Sequence, residues 1–140
     1  LFTWLVDSKK MKEALFHKEN KMKLTRKETV SWHRKMWNWI ADRIEEEKEY
    51  QHINVLKKEY CEGKGFYYVT SNCFCCEYTK YICDYCPIEW KSEVEDFMCM
   101  QKYEEDDDEG LYALCCNELD WEEQAKLARQ IANLPERQDL

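Results

Sequence analysis

From Thr25 onward the chain carries one unbroken apolar stripe at helical spacing. Val30, His33, Trp37, Ile40 and Ile44 recur at steps of three and four, which places their side chains on one face of an α-helix. Trp32, Met36 and Trp39 widen that face, so the helix is expected to be buried on more than one side. "TRKE" at 25–28 opens it as a capping box, with Thr25 accepting from the amide of Glu28 and Glu28 reaching back to the amide of Thr25. "EEEKEY" at 45–50 is its solvated end. An aromatic stripe with this period is core rather than a ligand box, and His33 reads as a packed histidine. The chain has only three glycines and two prolines in 140 residues. That is too little turn material for a β-sandwich, and the expected fold is mainly α, in one domain.

The rest of the chain follows the same reading. A second, shorter helix fits "NVLKKEYC", with Asn54 as N-cap and Gly63 after its end. "GFYYVTSN" is β-branched and aromatic and predicts a short strand leading into the cysteines. "GLYALCCNEL" places Leu111, Leu114 and Cys115 on one helical face. Asp120 opens a last helix, with Glu123 completing a second capping box and Trp121, Ala125, Leu127 or Ala128 and Ile131 on its apolar side. Pro135 stops that helix and "ERQDL" is expected to fray. Residues 1–21 have weak periodicity and precede Met22. They are expected to be a peripheral N-terminal extension of a single helical domain spanning 22–140.

Charge is unevenly distributed. Residues 1–36 hold ten Lys/Arg against four Asp/Glu, and residues 37–140 hold eleven against twenty-five, a net of +6 followed by −14. A −14 body repels nucleic acid and attracts basic protein surfaces. The run Glu104, Glu105, Asp106, Asp107, Asp108, Glu109 is read as a solvated loop and a candidate partner contact, together with the glutamates of 45–49. The run lacks the alternation and central glycine of a calcium loop. No apolar run approaches the roughly 20 residues of a membrane span. "LFTWLVDSKK" goes from apolar to basic, the reverse of a signal peptide. The expected location is the cytoplasm, where thiols stay reduced.

The chemistry is concentrated in "NCFCCEYTKYICDYCPIEW", residues 72–90, which holds five of the nine cysteines. Cys73–Cys76 and Cys83–Cys86 are two C-x2-C pairs. Each can offer two thiolates to one metal, and four thiolates around a tetrahedral zinc make a closed structural site. The preferred reading is therefore a zinc knuckle at 73–86 held by Cys73, Cys76, Cys83 and Cys86. Only six residues separate the pairs, fewer than in familiar zinc patterns. Cys75 is able to replace a neighbour, and Cys99, Cys115 or Cys116 to supply a fourth sulfur. Cys61 reads as a small buried hydrophobe. Reduced thiols without metal, disulfides, and an iron–sulfur cluster or redox dithiol stand as alternatives. No catalytic residues are assigned: there is no H-E-x-x-H, no G-x-S-x-G and no phosphate loop.

Four segments taken together, "HRKMWNWIA" at 33–41, "CFCCEY" at 73–78, "CDYCPIEW" at 83–90 and "ARQIANLPER" at 128–137, resemble a group of small cysteine-rich proteins of bacteriophages and prophages of Gram-positive bacteria. The resemblance spans roughly residues 22–137 and leaves 1–21 outside. It implies a small accessory protein made in the cytoplasm of a bacterial host cell, of the kind that binds and blocks host proteins. The expected function is accordingly non-enzymatic: binding and inhibiting or redirecting a host protein with a basic surface, such as a defence or nucleic-acid-handling protein, with zinc in a structural role. The alternative is a small zinc-knuckle regulator that binds nucleic acid through its basic N-terminal helix.

Overall fold

The computed structural model describes residues 24–67, 69, 73–80, 85–90 and 110–138. The N-terminal extension, the acidic run at 104–109, Cys83 and Cys99 lie outside the described residues. Among the described residues the chain is mainly helical and has no strand, its only β feature being an isolated antiparallel bridge between Ile88 and Glu136. The helices are α1 (Arg26–Glu47), α2 (Ile53–Gly63), α3 (Phe74–Thr79), α4 (Leu111–Asn117) and α5 (Trp121–Ala132).

Helix α1 is the spine. Its buried residues are Thr29, Val30, His33, Met36, Trp37, Ile40, Ala41 and Ile44, the stripe expected from the spacing. The capping box forms as read: Thr25 Oγ1 accepts from the Glu28 amide at 3.1 Å and the Thr25 amide donates to Glu28 Oε1 at 3.1 Å. The helix ends at Lys48, which adopts the left-handed conformation at φ 54° and donates its amide to the Ile44 carbonyl. Replacing Thr25 with alanine removes one acceptor for an otherwise orphaned helical amide. The expected loss is about 1 kcal/mol, read as a lower urea midpoint at unchanged slope.

Helix α5 lies along α1 and runs antiparallel to it. Arg26 meets Glu136 and the Arg137 carbonyl, His33 meets the Ile131 carbonyl, and Arg129 meets Asn38, Asp42 and Glu45. Small residues make this close approach possible, since Ala41, Ala125, Ala128 and Ala132 are all buried in the core they share. Helices α2 and α3 pack on α1, and α4 packs on α5 and α2.

Several local expectations are corrected. The N-cap of α2 is His52, without a side-chain cap bond. Asn54 is instead engaged in tertiary structure, its Oδ1 accepting from the Tyr112 hydroxyl. The glycine that turns the chain after α2 is Gly65, at φ 81°, a conformation open to glycine without a side-chain clash. Where a strand was expected, Gly65–Tyr67 and Val69 are in turns and irregular backbone. The Phe66 amide donates back to the Cys61 carbonyl at 2.7 Å. This turn drives the Phe66 ring against Trp32 and Phe74, with centroids 4.7 and 5.0 Å away. Tyr112 rather than Leu114 fills the buried face of α4, and Leu114 is exposed. Asp120 caps α5 through the Glu122 amide, but Glu123 turns outward to Lys126 and no second box forms. Residues 136 and 137 do not fray. The Arg137 amide donates to the Pro87 carbonyl at 2.7 Å, and the Glu89 amide donates to the Pro135 carbonyl at 2.8 Å.

Candidate metal centre

The described part of the cysteine segment begins as a short helix, Phe74–Thr79. Cys73 is the extended N-cap residue of α3, and Cys75 and Cys76 lie in its first turn. A helix turns about 100° per residue, so the two adjacent cysteines cannot face the same way. Phe74 and Cys75 are buried, while Cys76 is only half-buried. Phe74 sets this orientation by packing against Trp32 of α1 and Phe66. Cys86 reaches the same place from the segment 85–90, which is fastened to the C-terminal strap by the Ile88–Glu136 bridge and the Arg137–Pro87 hydrogen bond.

Cys75 faces α1, where its Sγ lies 3.9 Å from His33 Nδ1. His33 is buried on α1, with Nε2 3.2 Å from the Ile131 carbonyl oxygen. A carbonyl only accepts, so Nε2 carries the ring proton and Nδ1 presents its lone pair to the sulfurs. The ring stands edge-on to Trp90, with centroids 5.6 Å apart.

The electrostatics follow from this geometry. Cys73 is held well below the ordinary thiol range by hydrogen bonds from the Cys75 and Cys76 side chains, and the Lys57 ammonium adds to this. Cys86 is also lowered, by Cys75 first and then by the Ile88 amide and the Trp90 side chain. Cys75 moves the other way, well above the ordinary thiol range, through its interactions with the Cys73 and Cys86 side chains and its burial. Burial lowers His33 to about 4, which makes it a neutral imidazole at physiological pH. The Cys76 amide acts on the Cys73 sulfur only as a nearby dipole, since no cap hydrogen bond of ordinary geometry forms there. Lys57 is buried beneath this region and donates to the Tyr112 hydroxyl at 3.2 Å.

Of the expected ligands, Cys73 is the N-cap of α3, Cys76 lies half-buried in its first turn, Cys86 is buried in the 85–90 segment, and Cys83 lies outside the described residues. Cys75, expected as a stand-in for a neighbouring ligand, is buried, and His33, read as a packed histidine, turns Nδ1 toward the Cys75 sulfur. A signal for His33 was present in the sequence: it is the one ionisable residue on the apolar stripe of α1. Among the described residues no three His, Cys, Asp or Glu side chains stand in metal-ligand geometry as they are. None of the seven described cysteines is in a disulfide. Cys61 and Cys115 are each pushed up to about 12 by burial, which leaves them protonated and inert. The Cys115 Sγ contacts the Gln124 carbonyl and the Cys116 carbonyl accepts from Tyr50, so both belong to the α4–α5 corner.

No family model, curated protein or solved structure matches the chain. No described helix is long and apolar enough to cross a membrane.

Proposed function

We propose that this chain is a non-catalytic helical binding protein, a phage accessory protein that engages a basic surface of a host protein and inhibits or redirects it. A structural zinc at the cysteine cluster would hold the segments around α3 in place. The observation that carries this reading is the separation of charge along the bundle. Glu45, Glu46, Glu47 and Glu49 are exposed at the end of α1. Gln51 is hydrogen-bonded to Gln124, which brings the start of α5 to the same end, with Asp120, Glu122 and Glu123 exposed. Arg43, Arg129 and Lys126 answer part of this charge, through Glu47, Glu59, Asp42, Glu45 and Glu123. The N-terminal half of α1 carries exposed Lys27, Arg34 and Lys35. An end of one sign steers a partner of the opposite sign and speeds its association.

The zinc part of the proposal is supported by the five cysteines within residues 72–90 and by the 3.9 Å approach of Cys75 Sγ to the neutral imidazole of His33, thiol and imidazole being donor types suited to Zn²⁺. Protein purified under reducing conditions is expected to hold about one zinc per chain, and a chelator is expected to lower its melting temperature, because metal binding is coupled to folding. Freshly reduced protein without stoichiometric metal would refute this part.

The partner is sought by affinity capture from a bacterial host lysate and then measured by binding kinetics at two salt concentrations. Association should slow as salt rises, since exposed charges are screened beyond about 8 Å at physiological ionic strength. Combining Glu46→Gln and Glu49→Gln with Asp106→Asn, Asp107→Asn and Asp108→Asn should lower the on-rate about 10-fold and leave the off-rate nearly unchanged. Tight, salt-sensitive binding of duplex DNA, lost on changing Lys27 and Lys35 to alanine, would overturn this reading in favour of the nucleic-acid regulator.

A further inference from the structure

We propose that residues 85–90 form a latched lid over the buried Cys75–His33 pair, and that the lid opens by release of the C-terminal strap, 134–138, before the helical bundle unfolds. The device is independent of the zinc reading and of the charged surfaces. It governs how a reagent in solution reaches the thiol.

The pair is closed off as it stands. Cys75 and His33 are both buried, with Sγ 3.9 Å from Nδ1. Trp90 of the lid, also buried, stands edge-on to the imidazole with ring centroids 5.6 Å apart. Ile88, two residues before it, is fully buried. The lid thus covers one side of the imidazole with apolar side chains.

The lid is held in a way that lets it go. Among the described residues, two backbone hydrogen bonds tie its main chain to the rest of the fold, and both go to the strap. The Glu89 amide donates to the Pro135 carbonyl at 2.8 Å, and the Pro87 carbonyl accepts from the Arg137 amide at 2.7 Å. They flank the isolated Ile88–Glu136 bridge, and a two-stranded pairing this short is marginal by itself. The strap is held in turn by α1. Arg26 meets Glu136 and the Arg137 carbonyl, and Arg34 donates to the Leu134 carbonyl at 3.3 Å. The Arg26 and Glu136 side chains are partly exposed, and an ion pair in contact with water contributes little. Beyond Leu134, Pro135 and Gln138 are exposed, Glu136 is half-buried and only Arg137 is buried. Peeling the strap therefore uncovers little apolar surface, which places this opening at the low end of the local stabilities in a fold. With the strap released, the lid has lost both of those bonds. Ile88 and Trp90 are a small part of the core that full unfolding exposes. Cys115 provides the contrast. It is fully buried inside α4 with its Sγ on the Gln124 carbonyl, where release of the strap does not reach.

The test is pulsed labelling of the reduced full chain with N-ethylmaleimide over a series of low urea concentrations, each cysteine being followed by peptide mass spectrometry and scaled to its rate in the unfolded chain. Cys75 should label at least about 10-fold faster than Cys115, at a rate nearly flat in urea, because a local opening exposes little surface. Glu136→Ala should speed Cys75 about 2- to 5-fold. A chain ending at Leu134 should speed it at least about 10-fold. In both variants Cys115 should stay within about 2-fold of the unaltered protein and the helical circular dichroism should be retained. If the shortened chain loses its helical signal, Glu136→Ala decides alone. Equal rates for Cys75 and Cys115 that climb together with urea would overturn the proposal, since opening would then be global. A Cys75 rate unmoved by loss of the strap contacts, or one that rises only in step with Cys115, would overturn it as well.

Discussion

Changing Gln124 to leucine is expected to cost the fold about 3–4 kcal/mol, although the two side chains have similar size. Gln124 is completely buried in the first turn of α5. Its Oε1 accepts from the Gln51 amide at 3.0 Å, and its Nε2 donates to the Gln51 carbonyl at 2.9 Å and to the Cys115 carbonyl at 3.1 Å. One side chain thus closes both polar groups of a loop residue between α1 and α2, plus a carbonyl at the end of α4. Leucine would leave three backbone groups without partners, at about 1–3 kcal/mol each where water cannot enter. The sum is set near the lower end because Gln51 is half-exposed. Against a typical total of about 5–15 kcal/mol, the loss should be plain in a urea titration. Gln124→Glu separates the hydrogen-bond account from the packing account. It keeps the acceptor but presents a carboxylate to two carbonyls, so its deficit should shrink as pH falls and the side chain regains a donor. A loss below about 1 kcal/mol for Gln124→Leu would show that the clasp is dispensable.

Trp37→Ala is expected to be at least as damaging, at about 3–5 kcal/mol. The indole is 1% exposed, in the middle of the buried face of α1. It meets the Tyr112 ring edge-on at 5.8 Å between centroids, so it joins the spine to α4. Truncation removes the transfer free energy of a large side chain and leaves a cavity that a packed core refills only in part. For a chain of this length the melting temperature should fall by roughly 10–20 °C. Trp37→Phe retains most of the ring volume and should lose less than half as much. Equal melting temperatures for Trp37→Ala and the unaltered protein would mean that the indole does not pack against Tyr112 and the core as described.

Both predictions sit on contacts between distant parts of the chain, and that marks the division between what was legible and what was not. The capping box of Thr25 and Glu28, the buried stripe of α1 and the apolar side of α5 at Ala125, Ala128 and Ile131 could be read directly from the sequence. These are local matters, in which spacing along the chain decides which side chains share a face. The N-cap of α2 and the second capping box were misread because Asn54 and Glu123 had partners elsewhere, in Tyr112 and Lys126. The strand expected after Gly63 failed for a similar reason. Its aromatic residues satisfy β-propensity, but Phe66 gains more by turning into the Trp32–Phe74 cluster, and tertiary packing overrides a weak preference.

For the candidate site the same physics applied. Cysteine counting along the chain located the thiol-rich segment at 72–90. It could not rank Cys75 above Cys76, because that ranking depends on which way α3 is rolled, and Phe74 sets the roll by where it finds apolar partners. Nor could it bring in His33, which is 42 residues away from Cys75 and owes its tautomer to a carbonyl on α5. By itself, then, the sequence determined the helical class, the spine and the presence of concentrated thiol chemistry, because each depends on the spacing of side chains along one segment. The tertiary structure alone decided which cysteine of α3 turns inward and which histidine meets it. That assignment is made by the antiparallel docking of α5 on α1 and by the burial of Phe74, contacts whose energies appear only once the segments have met.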